Sequence, residues 1–440
     1  MPNPYLPAWE HIPDGEPRVF GDRVYIYGSH DRVASEDFCD FKLKVWSASV
    51  DDLNNWVCHG HAFHTKADGG HESDTAAWTS RELYAPDVVE KDGKYYLYAY
   101  IVGSEGCAAV SERPEGPFRL ISRYKVSESD IKDLQEAIFI DPGVLVDGDG
   151  RVFVYCGYLH SYMVEVNPSN MVEVIDGSYR RDFLTAGEPH EFFEACSPRK
   201  IGDTYYMIYS PKHASRLVYA TSKSPVGPFE YGGVIIDNGV DYPGGNNHGS
   251  ICRIKDQWYI FYHRMTNNTI MSRRGCVERI EILEDGSIPR VEMTSLGFEE
   301  SLTPYRETKA DTACVLKGGC FITEKNIFER PIVNILPGCV IGYKYFDFGR
   351  DYSNTGMTLC IRINGCGQKG VVRVTLDGED GLEIGRGEIT TDDSVLRIKT
   401  PNVTGRHSLF FTFESGRTGW MKEAFDKRGL CQFVGFVFCK

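Results

Sequence analysis

The chain has 440 residues, 42% of them hydrophobic and 12% aromatic, with a formal net charge of −14, which is enough for a large buried core and two domains. That acidic balance, with no basic stripe or arm, argues against a nucleic-acid partner. No apolar run reaches the roughly 18 to 20 residues of a membrane span, and the opening MPNPYLPAWEHIPDGEP has neither a basic nor an apolar leader segment, so the expectation is a cytoplasmic protein without a membrane partner.

Taken in chain order, five versions of one phrase stand out: GDRVYIYGS from Gly21, DGKYYLYAY from Asp92, DGRVFVYCG from Asp149, GDTYYMIYS from Gly202 and KDQWYIFYH from Lys255. Each places a polar turn before an aromatic and β-branched run, the pattern of a hairpin entering a strand. Their register tyrosines, Tyr27, Tyr98, Tyr155, Tyr209 and Tyr262, are 71, 57, 54 and 53 residues apart. Such a period predicts four-stranded propeller blades around a central channel. The wide first step leaves room for a polar insertion over 65–77. SERPEGPF and SKSPVGPF, from Ser111 and Ser222, read as turns into the outermost strands of two blades, where proline is tolerated.

Beyond about residue 300 the rhythm changes to runs such as CVIGYKYFDFG, MTLCIRING, GVVRVTLDG and HSLFFTFESG. Alternating apolar residues between Gly, Asn and Asp predict an antiparallel sandwich. The expected fold is therefore all-β, a five-bladed β-propeller over 1–300 followed by a jelly-roll-like β-sandwich over 310–440. Most of the fourteen cysteines sit singly in strand-like runs and read as buried free thiols, with no CxxC pair to argue for zinc.

A polar residue precedes each register tyrosine at nearly the same offset: Asp14, Asp87, Asp141, Glu194 and His248. In a propeller these positions face one another across the channel. Gathering buried carboxylates is costly, and a fold that bears the cost usually does so at a functional site. Two carboxylates across a pocket are what glycosidic hydrolysis requires, one protonated for the leaving oxygen and one ionised to activate water. A third beside the acid raises its pKa by like-charge repulsion. Glu191 competes with Glu194 for the acid role, but two strand residues three apart face opposite sides, and FFEACSPRK favours Glu194.

The contexts PDGEPRVFGD, FIDPGVLVDGDG and FFEACSPRKIGD, with YAPD, GGNNHGSI and SRRGCVE, resemble glycoside hydrolase family 43 over residues 3 to 296. The resemblance implies a five-bladed propeller and an inverting mechanism, with Asp14 as general base, Glu194 as general acid and Asp141 as pKa modulator. It further implies that Asp87, Arg273 and His248 contact substrate, and that His248 stands beside a calcium ion held largely by water. No organic cofactor is implied. The family's usual Asp-Pro opening is Asp14-Gly15 here. The C-terminal region resembles carbohydrate-binding module family 6, although the loop that usually presents a stacking tryptophan reads TTDDSVLRIKT, so a support packed on the propeller is the favoured role. The expected activity is exo-acting release of terminal α-L-arabinofuranosyl or β-D-xylosyl residues from hemicellulose-derived oligosaccharides. A non-catalytic carbohydrate-binding propeller and an endo-arabinanase are the alternatives, and the oligomeric state is open.

Overall fold

The computed structural model describes residues 1–75, 78–103, 106–125, 139–213, 215–350 and 356–440. Five antiparallel sheets follow in chain order. The first blade holds β1 to β4 (Glu16–Phe20, Arg23–Tyr27, Lys42–Ser49, Asp52–His64) and the second β5 to β8 (Leu83–Lys91, Lys94–Ile101, Cys107–Ser111, Arg119–Arg123). The third holds β9 to β12 (Gly143–Val146, Val152–Cys156, Tyr162–Val166, Arg180–Arg181) and the fourth β13 to β16 (Phe192–Ile201, Thr204–Pro211, Arg216–Ser222, Glu230–Asp237). The fifth holds β17 to β19 (Ser250–Ile254, Gln257–Thr266, Thr269–Ile280). The first strands of the blades line the channel: β5 neighbours β1 and β9, β9 neighbours β13, and β1 neighbours β17.

Closure of the ring uses the start of the chain. Gly15 bridges Gly249 in parallel. Asn3 runs beside β19, donating to the Val277 carbonyl and accepting from the Val277 N–H, both at 2.9 Å.

The repeated phrase is the second strand of each blade, and its tyrosine has a physical task. All five register tyrosines are buried. The hydroxyl of Tyr27 donates to the Pro114 carbonyl of the next blade, Tyr98 to Met171 and Tyr155 to Pro225, each at 2.7 Å. A buried phenol needs a partner, and here the partner ties one blade to its successor. Tyr209 and Tyr262 bond within their own blades, to the His190 carbonyl at 3.3 Å and to Glu278 at 2.9 Å. The two proline-rich turns lie between β7 and β8 and between β15 and β16. Of the predicted insertion, residues 65–75 are described and 76–77 lie outside the described residues.

The C-terminal strands form two packed sheets. One is ordered Phe321–Ile322, Ile332–Val333, Cys431–Cys439, Met357–Gly365, Ser394–Thr400, with Thr308–Lys309 also on Cys431–Cys439. The other is ordered Val315–Lys317, Val340–Asp347, Arg406–Ser415, Gly370–Leu376, Leu382–Ile389. Between them Phe436 packs against Tyr343 and Phe411, with ring centroids 5.0 and 4.9 Å away.

One hydrophobic core continues from blades four and five into this sandwich, joining Tyr206, Ile260 and Tyr262 to Ile341, Tyr343 and Phe411. Polar ties cross the same junction: buried Arg274 donates to Asp311 at 2.9 Å and Arg264 to the Ala313 carbonyl at 2.8 Å. A hydrophobic junction of this kind fixes the orientation of two units. Trp420, by contrast, is 71% exposed on a short helix, Gly419–Phe425, that buries no residue.

Candidate active site

Asp14, Asp141 and His248 each precede the first strand of a blade by two residues, ahead of β1, β9 and β17. Glu194 lies inside β13, where the pairing with β14 slips on both sides of it. These entrances are bent. Asp14 and Asp141 have φ of 56° and 51°, and Ala195, following Glu194, has 71°. Non-glycine residues in the left-handed region cost about 1–3 kcal/mol each and cluster at functional sites. In these bends the polar side chains leave the strand alternation and turn into the channel.

Arg273 organises one side. Its Nη1 donates to Asp14 at 2.8 Å, while Nε and Nη2 donate to the two oxygens of Asp31, both at 2.9 Å. His263 Nδ1 lies 3.3 Å from Asp14 Oδ1, and its Nε2 faces the Asn246 carbonyl at 3.0 Å. His248 Nδ1 stands 3.8 Å from Asp14 and 3.7 Å from Asp141. Burial alone would push the Asp14 pKa up, but the Arg273 charge, helped by His263 and His248, outweighs it and holds the carboxyl well below the usual range. Burial drives the His248 pKa down to about 4, so this imidazole is neutral near pH 7.

Among the described residues, the other side has no such cation of its own. Burial pushes Glu194 up to about 7, the Asp14 charge adds to the rise, and Arg273 only partly opposes it. Asp141 is raised well above the usual carboxylate range by burial and then by the charges of Glu194 and Asp14, against Arg273 and the Ala195 N–H. Both carboxyls are thus pushed toward their protonated forms. Glu191 is exposed, and its carbonyl accepts from the Lys212 N–H at 2.8 Å.

Asp87 and Arg273, expected to contact substrate, are both engaged by protein partners in this structure. Asp87 is fully buried, receives Arg18 Nε at 2.9 Å and the Val144 N–H at 2.8 Å, and so ties blades one, two and three together. Beside it Arg199 donates to Glu16 at 2.8 Å. Arg273 likewise directs all three guanidinium nitrogens at protein carboxylates. The physical reason is charge balance: a channel holding Asp14, Asp31, Asp87 and Glu16 needs its arginines for ion pairing.

Asp31 and His263 were not among the residues singled out from sequence. His263 closes the fifth repeated phrase and Asp31 follows the first by two positions, so the repeat itself carried a signal for both.

The surroundings of His248 do not fit direct capture of calcium. Calcium takes about 6–8 oxygen ligands, whereas here one imidazole faces two carboxylates, one of them engaged by Arg273. Among the described residues no three His, Cys, Asp or Glu side chains gather as a metal cage.

The chain is similar to known proteins in sequence and in fold. The model of glycosyl hydrolases family 43 matches residues 7–288. A xylosidase/arabinosidase of Thermoclostridium stercorarium is 37% identical over 96% of this chain and 97% of its own. A family 43 β-xylosidase/α-arabinofuranosidase from a compost microbial metagenome, solved with xylotriose in a calcium-free form, is 26% identical with a TM-score of 0.54, covering 65% of this chain and 97% of its own. An arabinoxylan arabinofuranohydrolase from Bacillus subtilis, 22% identical with a TM-score of 0.54, covers 100% of this chain and 97% of its own, a likeness of fold that includes the sandwich.

Proposed function

Because the chain belongs to glycoside hydrolase family 43, we propose that it is an exo-acting enzyme releasing terminal α-L-arabinofuranosyl or β-D-xylosyl residues from hemicellulose-derived oligosaccharides. The observation that carries this reading is the contrast in one channel between an arginine-paired Asp14, held ionised, and a Glu194 whose pKa sits near 7. Those are the two protonation states that hydrolysis of a glycosidic bond needs. The names of the relatives, xylosidase and arabinosidase, support the sugar class.

In this reading Asp14 accepts a proton from water as that water attacks the anomeric carbon. Glu194 gives its proton to the departing oxygen. Asp141 shares the proton with Glu194 and keeps its pKa high. The stereochemistry is inverting, which sets the carboxyls of Asp14 and Glu194 about 6.5–9.5 Å apart with room for the water. Proton NMR of the first-formed sugar tests this: the opposite anomer appears first if the mechanism inverts, and the same anomer contradicts it.

The test of the activity itself is nitrophenol release from the α-L-arabinofuranoside and the β-D-xyloside. Turnover of either supports the reading, and silence on both, repeated with xylobiose and arabinoxylan oligosaccharides, overturns it. Calcium carried through water beside His248 is checked by chelation followed by calcium return. Eleven buried free thiols support a reducing compartment, and the cytoplasm is part of the same proposal, checked by cell fractionation.

A further inference from the structure

Residues 322–324 of the sandwich hold the Asp14 side of the channel at two points. The first is the turn between β18 and β19, where Asn267 has φ of 53°. Its N–H donates to the Ile322 carbonyl at 2.7 Å, and its Oδ1 accepts from the Glu324 N–H at 2.9 Å. Its Nδ2 donates to the hydroxyl of Ser272, the residue before Arg273, at 2.9 Å. The second point is His11, whose Nε2 lies 3.3 Å from Glu324 Oε2. His11 is 1% exposed. The other oxygen of Glu324 accepts from Arg330 at 2.7 Å, which compensates the carboxylate's charge.

From His11 the contact continues inward through the backbone. The His11 carbonyl accepts from the Asp31 N–H at 2.9 Å, and Asp31 in turn holds Arg273 Nε and Nη2. The same stretch of chain ends three residues later in Asp14. It is pressed between Gly28, which follows β2, and Gly275 in β19. A Cβ on Gly28 would stand 2.3 Å from the Pro13 carbonyl oxygen, and one on Gly275 2.8 Å from that of Ile12. Backbone packed this closely passes a displacement on instead of absorbing it.

We propose that Glu324 is a positioning residue supplied by the sandwich: through His11 it sets where Asp14 and Arg273 stand, so the second domain completes the active site of the first. The assignment rests on the reading of Asp14 as the base. Misplacement by about 1 Å costs as much as about 100-fold in rate. The loss falls on kcat whatever the leaving group, because activation of water is common to every substrate.

The test is the kinetics of His11→Ala, which leaves the Arg330–Glu324 pair intact, on an aryl glycoside and on an oligosaccharide with the same terminal sugar. On both, kcat is expected to fall about tenfold with KM within about twofold of wild type. His11→Gln, whose amide donates to Glu324, should bring kcat back to within about threefold. Glu324→Ala should match His11→Ala, and the double variant should lose no more than either, as expected of two residues acting through one contact. Glu292→Ala is the control. It breaks a 2.8 Å tie to Lys344 across the same junction, but beside β16, the outermost strand of blade four, where the Val291 N–H donates to the Ile235 carbonyl. There kcat should stay within about twofold. Where Glu324→Ala does not fold, the two His11 variants decide the matter by themselves. An unchanged kcat in His11→Ala, equal losses in His11→Ala and His11→Gln, additive losses in the double variant, or an equal loss in Glu292→Ala would overturn the assignment and leave the activity standing. A wild-type protein silent on both substrates overturns the proposed function and this assignment with it.

Discussion

The two sides of the channel hold the same kind of group in opposite states. On one side Asp14 lies 2.8 Å from Arg273, and the guanidinium decides the outcome in spite of burial. On the other, among the described residues, buried Asp141 and half-buried Glu194 have no cation of their own, and desolvation decides it. The difference teaches that position in the repeat brings a carboxyl to the channel, while its nearest neighbour sets its charge. Asp31 matters in this respect, because it anchors Arg273 through two further hydrogen bonds and so fixes the cation on the Asp14 side.

Breaking either side removes activity in a different way. Asp14→Asn eliminates the base and is expected to lower kcat by about 10³-fold or more on every substrate. Glu194→Gln is expected to cost about 10²- to 10⁴-fold on unactivated oligosaccharides yet spare much of the rate on aryl glycosides with good leaving groups. Parallel kinetics on the two substrate types separate them. Arg273→Met attacks the contrast at its source. It leaves Asp14 and Asp31 buried without their cation, which is expected to destabilise the fold by about 3–5 kcal/mol and to move the acid limb of the pH profile upward, read by denaturant unfolding and kcat/KM against pH.

Asp141→Asn sharpens the same comparison with a smaller effect. Without the Asp141 carboxyl, its like charge no longer opposes ionisation of Glu194, so the alkaline limb of the profile is expected to move down, read by kcat/KM against pH. The two sides also oppose each other in stability. Asp14 is depressed when folded, so its contribution is present above the ordinary aspartate value of 3.8 and is lost as pH falls below it. Glu194 is raised when folded, so its contribution is present below the ordinary 4.5 and is lost as pH rises through about 7. The smallest expected effect lies far from the channel. Trp420→Ala, at an exposed helix position, should change stability by less than about 0.5 kcal/mol and leave kcat/KM within twofold, measured by thermal unfolding and the same kinetics.

Much of this was legible in the chain because propeller repeats convert sequence spacing into spatial convergence. The five tyrosines marked five second strands, and the offset to Asp14, Asp141, Glu194 and His248 marked the channel. Pairings between distant segments were harder to read: Arg273 and Asp31 are 242 residues apart, and nothing local in either segment names the other. The same holds for the ion pairs of Asp87 to Arg18 and of Arg273 to Asp14 and Asp31, which no local pattern announced. In the sandwich the missing tryptophan in TTDDSVLRIKT pointed to a supporting role. The shared core with blades four and five gives that role its physical form.

The most direct test of the contrast is the pH dependence of kcat/KM measured on an unactivated disaccharide and on an aryl glycoside with a good leaving group. The account predicts that the disaccharide rate falls about tenfold per pH unit above about 7, as Glu194 loses its proton. The aryl glycoside rate should stay level across the same range, because Asp14 remains ionised. A common fall on both substrates, or no fall on the disaccharide, would contradict the assignment of Glu194 as the acid.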